Sequence, residues 1–188
     1  MSRSIARLGA PPLRRQEPRV LGIARAQICD VDQVIDLRHG VEDWLASRRI
    51  VQWAPREIPE SVFYDQVAAG EYYVARIDGR SSIVGAFRLL WRDPVMWQDG
   101  VFAGYVHGLV VDRAHAGNGI GGALLGWAGR TSREAGANLL RLDCVDTNVA
   151  LCAYYRAAGF VPVGRRGLGS SRGVVLFQRS LAEPSTTG

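Results

Sequence analysis

The sequence predicts a single α/β domain: a mixed central sheet of about seven strands, antiparallel in its first half and parallel at a central crossover, flanked by about four helices. Three observations predict it. Apolar, β-branched runs alternate with stretches of helical period from residue 20 onward. The dipeptide Asp78-Gly79 sits between two strand-like runs, which is a hairpin signal and makes the early sheet antiparallel. Residues 105–125 then run a β-branched strand through a glycine-dense turn into an amphipathic helix, and a buried-looking strand follows, which makes a parallel crossover.

Val20 to Gln27 reads as the first strand, and Asp30 with Gln33 three residues on resembles a capping box opening a helix through Val34, Ile35, Val41, Trp44 and Leu45. After a polar break, 59–69 forms a second helix that Gly70 ends. Residues 71–77 and 83–91 are the hairpin strands, and a loop with Asp93-Pro94 and Asp99-Gly100 leads to a strand at 101–111. The helix from Gly119 carries Ile120, Ala123, Leu124, Trp127 and Ala128 on one face and stops at Gly136. A strand at 139–145 follows; Asn148 caps a short helix to Ala158, which Gly159 ends. Strands near 160–163 and 174–179 close an order of βααβββαβαββ.

Length and a hydrophobic content of 47% suffice for one core, placed at 20–181 between a basic leader at 1–19 and a tail at 182–188. All 23 positive side chains are arginine, which excludes a Walker A loop, a pyridoxal Schiff base and a lysine general base. The formal charge of +5 is concentrated in the leader, where five arginines face one glutamate, so the folded part is nearly neutral and nucleic acid is not the expected partner. Cys29, Cys144 and Cys152 have neither disulfide nor zinc spacing, so no metal is expected and a reducing, cytoplasmic compartment fits. No run approaches the ~18 apolar residues of a membrane span.

The turn Gly117-Asn118-Gly119-Ile120-Gly121-Gly122 is a seat for a pyrophosphate, because glycines let the backbone approach an anion and the unpaired N–H groups of a helix start hold it. Its spacing satisfies G-x-G-x-x-G, with Asp143 about 20 residues on, as a dinucleotide-binding fold would have it. About a hundred residues including a hairpin precede it, however, and too little chain follows for a second nucleotide-binding half.

Residues 109–122, Leu-Val-Val-Asp-Arg-Ala-His-Ala-Gly-Asn-Gly-Ile-Gly-Gly, resemble the strand-loop-helix motif of the GNAT superfamily of acyl-CoA-dependent N-acyltransferases. Residues 148–160, with an Asn and then a Tyr four residues before Gly-Phe, resemble the second motif of the same family in the correct order. The resemblance covers roughly residues 20–180 and implies a GNAT fold whose central parallel strands splay, with acetyl-CoA as co-substrate and a small primary amine as acceptor. One departure is that the family's Arg/Gln position falls on Ala116; Arg113 or Arg156 could replace the lost charge.

By the same resemblance, Leu109, Val110 and Val111 would present backbone groups to the pantetheine arm and the thioester oxygen, residues 116–122 (Ala116, Gly117, Asn118, Gly119, Ile120, Gly121, Gly122) would hold the pyrophosphate, and Asn148 would touch the arm besides capping its helix. Tyr155 matches the family's tyrosine general acid, close to both cofactor and reaction; its alternative is a packed aromatic, and Tyr154 is taken as the structural ring. His107 is the candidate base, against the alternative of a hydrogen-bonded core histidine. His115 and His39 are read as solvated, and Asp143 has no role.

The acceptor region of the family carries Trp44, Trp53, Trp91 and Trp97 here, with Tyr105 on the central strand and Glu42, Asp43, Asp93 and Asp99 nearby. Aromatic walls with a carboxylate suit a hydrophobic or aromatic amine, although tryptophans at such spacing also serve as core anchors. A homodimer is compatible with the sequence. The competing functions are a catalytically weak acyl-CoA-binding sensor module, suggested by Ala116, and an NAD(P)-binding protein.

Overall fold

The computed structural model describes residues 21–77, 80–167 and 173–182. Along them run β1 (Leu21–Arg25), α1 (Val31–Ser47), α2 (Glu60–Ala68), β2 (Tyr72–Ile77), β3 (Ile83–Leu90), β4 (Gly104–Val111), α3 (Ile120–Glu134), β5 (Leu139–Val145), α4 (Val149–Ala157), β6 (Val161–Gly167) and β7 (Gly173–Ser180). The strands form one seven-stranded sheet in the order β1-β2-β3-β4-β5-β7-β6. Among the described residues β4–β5 is the single parallel pair, which overturns the doubly wound dinucleotide-binding alternative. The leader, the Asp78-Gly79 turn and residues 183–188 lie outside the described residues.

Alternation along β2 shows how both faces of the sheet are covered. Tyr72 and Val74 join α1 and α2 through Val31, Val34, Ile35, Phe63 and Val67, whereas Tyr73 and Ala75 join Leu124, Leu125 and Ala128 of α3 on the other face. At Gly104 of β4 the strand lies so near α3 that a Cβ would collide with Ser132 Oγ.

Three sequence expectations change. Asp30 and Gln33 do not form the expected capping box: Asp30 accepts from the backbone N–H of Gln27 at 2.9 Å, and the Gln33 side chain accepts from Ile83 N–H at 3.2 Å, tying α1 to β3 instead. The central strand begins at Gly104 rather than 101, where pairing with β3 and β5 starts, and the Tyr105 hydroxyl donates back to the Val101 carbonyl at 2.7 Å. β6 runs on to Gly167 because β7 pairs with it along that length. Among the described residues, no helix is long and apolar enough to cross a membrane.

Candidate active site

β4 and β5 pair only through Gly104 with Leu140 and Tyr105 with Arg141, and then separate. The cause lies on the opposite edge of β4. Its register with β3 steps from Arg88–His107 to Ala86–Val110, so Gly108 and Leu109 stand opposite Phe87 as a bulge. Gly108 takes φ +58°, a left-handed conformation that a β-carbon disfavours. Arg38 lies beside this bulge, buried, bonded to Glu42 at 2.7 Å and stacked 3.6 Å from the Trp53 ring. Arg38 also donates to Glu57 at 3.3 Å and Glu42 accepts from Arg56 N–H at 2.8 Å, so the pair ties α1 to the loop after it; removing one partner of such a buried pair typically costs about 3–5 kcal/mol.

Beyond the bulge a groove of about 520 Å³ opens. Leu109, Val110 and Val111 line it from β4, and Ala116, Gly117, Gly119, Ile120 and Gly121 form its loop end. Gly119 is the N-cap of α3 at φ +76° with no side-chain cap, which leaves the first helical N–H groups, those of Ile120, Gly121 and Gly122, for a ligand. The turn uses two of the expected amides itself: Ala116 N–H donates to Arg113 at 3.3 Å and Asn118 N–H to His115 at 3.4 Å. Asn118 and Gly122 are off the lining. Arg113 is on it, stacked 3.8 Å from the Trp44 ring, whereas Arg156 lies over Phe177 and away from the groove. His115, expected in solvent, is half-buried on the wall with Nδ1 3.3 Å from Asp112.

Asn148 caps α4 by accepting from Leu151 N–H at 3.2 Å, and its amide donates to Gln52 at 3.2 Å, joining α4 to the loop after α1 across the groove. Of the paired tyrosines, Tyr154 lines the groove, its hydroxyl 2.6 Å from where a Cβ on Gly121 would be. Tyr155 is buried against Phe160 and Phe177. Burial pushes its hydroxyl far up in pKa, and the neighbouring Cys144 and Asp143 add to the shift.

His107 stands where the strands part. The parallel register that pairs Tyr105 with Arg141 carries His107 and Asp143 to the next position on the same face. Asp93, from the loop after β3, completes a group whose ligand atoms all lie within 4.8 Å of one another. His107 Nε2 is 3.2 Å from Asp93 Oδ2, yet both atoms are buried without a well-aligned hydrogen bond. Burial acts to raise the Asp93 carboxyl, but His107 and the backbone N–H groups of Met96 and Val95 outweigh it and hold the pKa below the ordinary value. Burial prevails at Asp143 and raises its pKa, with His107 opposing and Asp93 reinforcing.

The four tryptophans do not form one wall. Trp44 and Trp53 line the groove, while Trp91 stacks on Phe102 and Trp97 packs on Tyr105 and Arg141. Tyr105 is core rather than lining: its hydroxyl donates to Val101 and accepts from Arg141. The nearby carboxylates are mostly committed, Glu42 to Arg38, Asp43 to Arg56 and Asp99 to Arg141. Asp93 is the one of the four that faces an imidazole instead of a guanidinium. Sequence reasoning missed Gln52 and the closeness of Asp143 to His107; an i,i+4 Arg38–Glu42 spacing was the available signal for the buried ion pair.

Comparison with known proteins bears on this geometry. Residues 38–160 match the family model described as Acetyltransferase (GNAT) family. The uncharacterized N-acetyltransferase YesJ of Bacillus subtilis is 26% identical over 161 residues, covering 81% of this chain and 86% of that protein. A GNAT-family acetyltransferase from Listeria monocytogenes superposes with a TM-score of 0.69 at 22% identity, over 85% of this chain and 94% of its own. The Salmonella typhimurium acetyltransferase YncA, solved with acetyl-CoA, gives 0.63 at 16%, over 89% and 98%.

Proposed function

Since the chain belongs to the GNAT family of acetyltransferases, with acetyl-CoA as its co-substrate, we propose that it acetylates a primary amine by direct attack within a ternary complex. The observation that carries this reading is the early parting of β4 from β5, which leaves an unpaired strand edge running from His107 toward the free N–H groups of α3. The pyrophosphate sits on those amides with Arg113 beside it, and the pantetheine arm pairs with the backbone of Val110 and Val111. A backbone N–H of that edge faces the thioester oxygen, where negative charge develops.

His107 takes the proton from the incoming amine, and Asp93 stabilises the imidazolium so formed. Tyr155, kept protonated by burial, donates a hydrogen bond to the departing sulfur, while Tyr154 overhangs the anion seat. Trp44 and Trp53 belong to the cofactor groove in this arrangement, and Trp91 with Phe102 offers apolar surface to the acceptor.

Calorimetric titration with acetyl-CoA and separately with NADH tests the reading. Acetyl-CoA binds at micromolar concentration and NADH does not; an amine screen then shows turnover. The absence of a side-chain charge at Ala116 favours one second reading, an acyl-CoA-binding module with weak activity. Tyr155→Phe separates the two, since an enzyme loses turnover while keeping cofactor affinity and a binding module has no turnover to lose.

A further inference from the structure

Asp93, His107 and Asp143 come from the loop after β3, from β4 and from β5, and each brings one ligand atom to within 4.8 Å of the others. The Asp93 side chain is 7% exposed, and the Met96 N–H that donates to its Oδ1 at 3.1 Å leaves Oδ2 for the cluster. Oδ2 and His107 Nε2 face each other at 3.2 Å, both buried, and neither makes an aligned hydrogen bond. A charge-assisted hydrogen bond between an imidazolium and a carboxylate is shorter, about 2.7–2.9 Å. Two ligands on one zinc ion, each at ~2.0–2.1 Å, stand ~3.3 Å apart at tetrahedral angles. The flanking guanidiniums do not compensate the two acids, since Arg141 is committed to Asp99 and Arg38 to Glu42.

We propose that Asp93, His107 and Asp143 form a zinc site, and that zinc bound there inhibits acetyl transfer. One imidazole nitrogen and two carboxylate oxygens suit a divalent transition ion, whereas magnesium and calcium call for six or more oxygens. Two carboxylates neutralise the charge of the ion, which a confined, largely dry pocket requires. Asp93 Oδ2 and His107 Nε2 already stand at the tetrahedral spacing, and the partly exposed Asp143 closes the triangle by a turn of at most ~1.5 Å. The Met96 N–H on the other oxygen of Asp93 orients that ligand, as a second hydrogen bond does in metal sites generally. The spacing of the cysteines has no bearing on this site, whose ligands lie 14 and 36 residues apart in the chain.

The position gives the ion its consequence. Three protein ligands leave a fourth place for water. His107 and Asp143 lie just past the last paired rung of β4 and β5, so the ion stands where the strands open. Zinc on Nε2 occupies the lone pair with which His107 takes the proton of the amine, and the zinc-bound chain has no base. Acetyl-CoA affinity is untouched, because the groove lining from β4 begins at Leu109. The inhibition thus rests on the acetyl-transfer reading, whereas the binding rests on the three side chains alone. Asp143, without a role in the sequence, becomes a metal ligand.

The test titrates the full chain, freed of metal by a chelator, with zinc chloride in the absence of CoA, whose thiol binds zinc itself. The wild type binds one equivalent with Kd below ~1 μM, and Asp93→Asn and Asp143→Asn each weaken binding about tenfold or more. Cobalt chloride in place of zinc gives the intense visible absorption of a four-coordinate ion. No binding to the wild type, or binding that both Asn variants retain, overturns the site; its loss from Cys29→Ser or Cys152→Ser would place the ion on thiols instead. On the best amine of the screen, one equivalent of zinc lowers the initial rate of acetylated product about tenfold or more, and a chelator restores it. Full turnover with zinc bound overturns the inhibition. Zinc binding that the Asn variants weaken, without acetylation of any amine, sustains the site and counts against the acetyl-transfer reading alone.

Discussion

On either side of Gly108 the same strand serves two sites built by different means. Toward its C-terminal end, β4 meets a groove whose anion seat is made of backbone: the N–H groups of Ile120, Gly121 and Gly122 behind left-handed Gly117 and Gly119. Toward its N-terminal end, the seat at His107 is made of three side chains from three elements. A backbone site depends on conformation and tolerates exchange of side chains, which is why Ala116 in place of Arg/Gln leaves the loop geometry standing. A side-chain site has no such tolerance, because removing one acceptor leaves the others buried and unpaired.

The largest effect expected from this difference is at the side-chain seat. His107→Gln keeps the polar volume but cannot take a proton at neutral pH, so kcat should fall by ~10²- to 10⁴-fold, the usual range for a general base. Acetyl-CoA affinity should not change, because the groove lining from β4 begins at Leu109. Steady-state kinetics beside calorimetry checks both halves; a loss of cofactor affinity equal to the loss of rate would mean that the two sites are one.

The next effect is at the backbone seat. Gly119→Ala forces a β-carbon into φ +76°, which costs roughly 1–2 kcal/mol and corresponds to about a five- to thirtyfold loss of acetyl-CoA affinity if the loop gives way. The acceptor-amine KM, measured at saturating acetyl-CoA, should stay within about twofold. One variant thus loses rate without affinity and the other affinity without acceptor recognition, and a variant at either seat that loses both equally breaks the distinction.

The same contrast explains what could be read from the sequence. The element order and the anion seat are local: β-branched runs, a helix period and the glycines of 117–122 are contiguous, so the sheet and the loop end of the groove follow from spacing and composition. The Asp30–Gln33 capping box failed for an equally physical reason, since Gln33 finds a better partner in Ile83 N–H, fifty residues away. Asp93, His107 and Asp143 are separated by 14 and 36 residues, and only the parallel register of β4 with β5 and the course of the loop after β3 bring them together. That Tyr154 lines the groove while Tyr155 is covered has the same origin. Helical spacing puts both on one short helix, and the packing of Phe160 and Phe177 decides which is covered.

Stability should separate the two seats as well. Burial holds the Asp143 carboxyl above its ordinary pKa of about 4, so the native chain retains a proton that the unfolded chain has released. Stability from this group therefore falls as pH rises from that value through the folded pKa. Asp93, held low, works in reverse and loses stability as pH falls below the ordinary value. Asp143→Asn removes the first dependence and keeps the second, so its melting temperature relative to wild type should rise between pH 4.5 and 7.5. Ala116→Ser, at the exposed backbone seat, should show no such pH trend, and thermal melts at the two pH values check the pair.

The smallest effect expected is a gain. Ala116 stands where related loops carry Arg or Gln, on the groove wall beside the free amides of α3. Arg113 already supplies one guanidinium there, but it is held against the Trp44 ring, an attraction of about 0.5–2 kcal/mol that competes with any anion. A second arginine at 116 would stand beside the pyrophosphate without that competitor. Single charges at a helix N-terminus contribute about 0.3–1 kcal/mol, so Ala116→Arg should tighten acetyl-CoA by no more than about fivefold, with the gain shrinking as salt is raised. Trp44→Leu, which frees Arg113, should produce a similar tightening, and the double variant should gain less than the sum if both guanidiniums reach the same phosphate. An Ala116→Arg chain with a hundredfold gain would instead mean that the backbone amides alone do not form the seat, and the distinction between the two ends of β4 would fail on the side where it is now strongest.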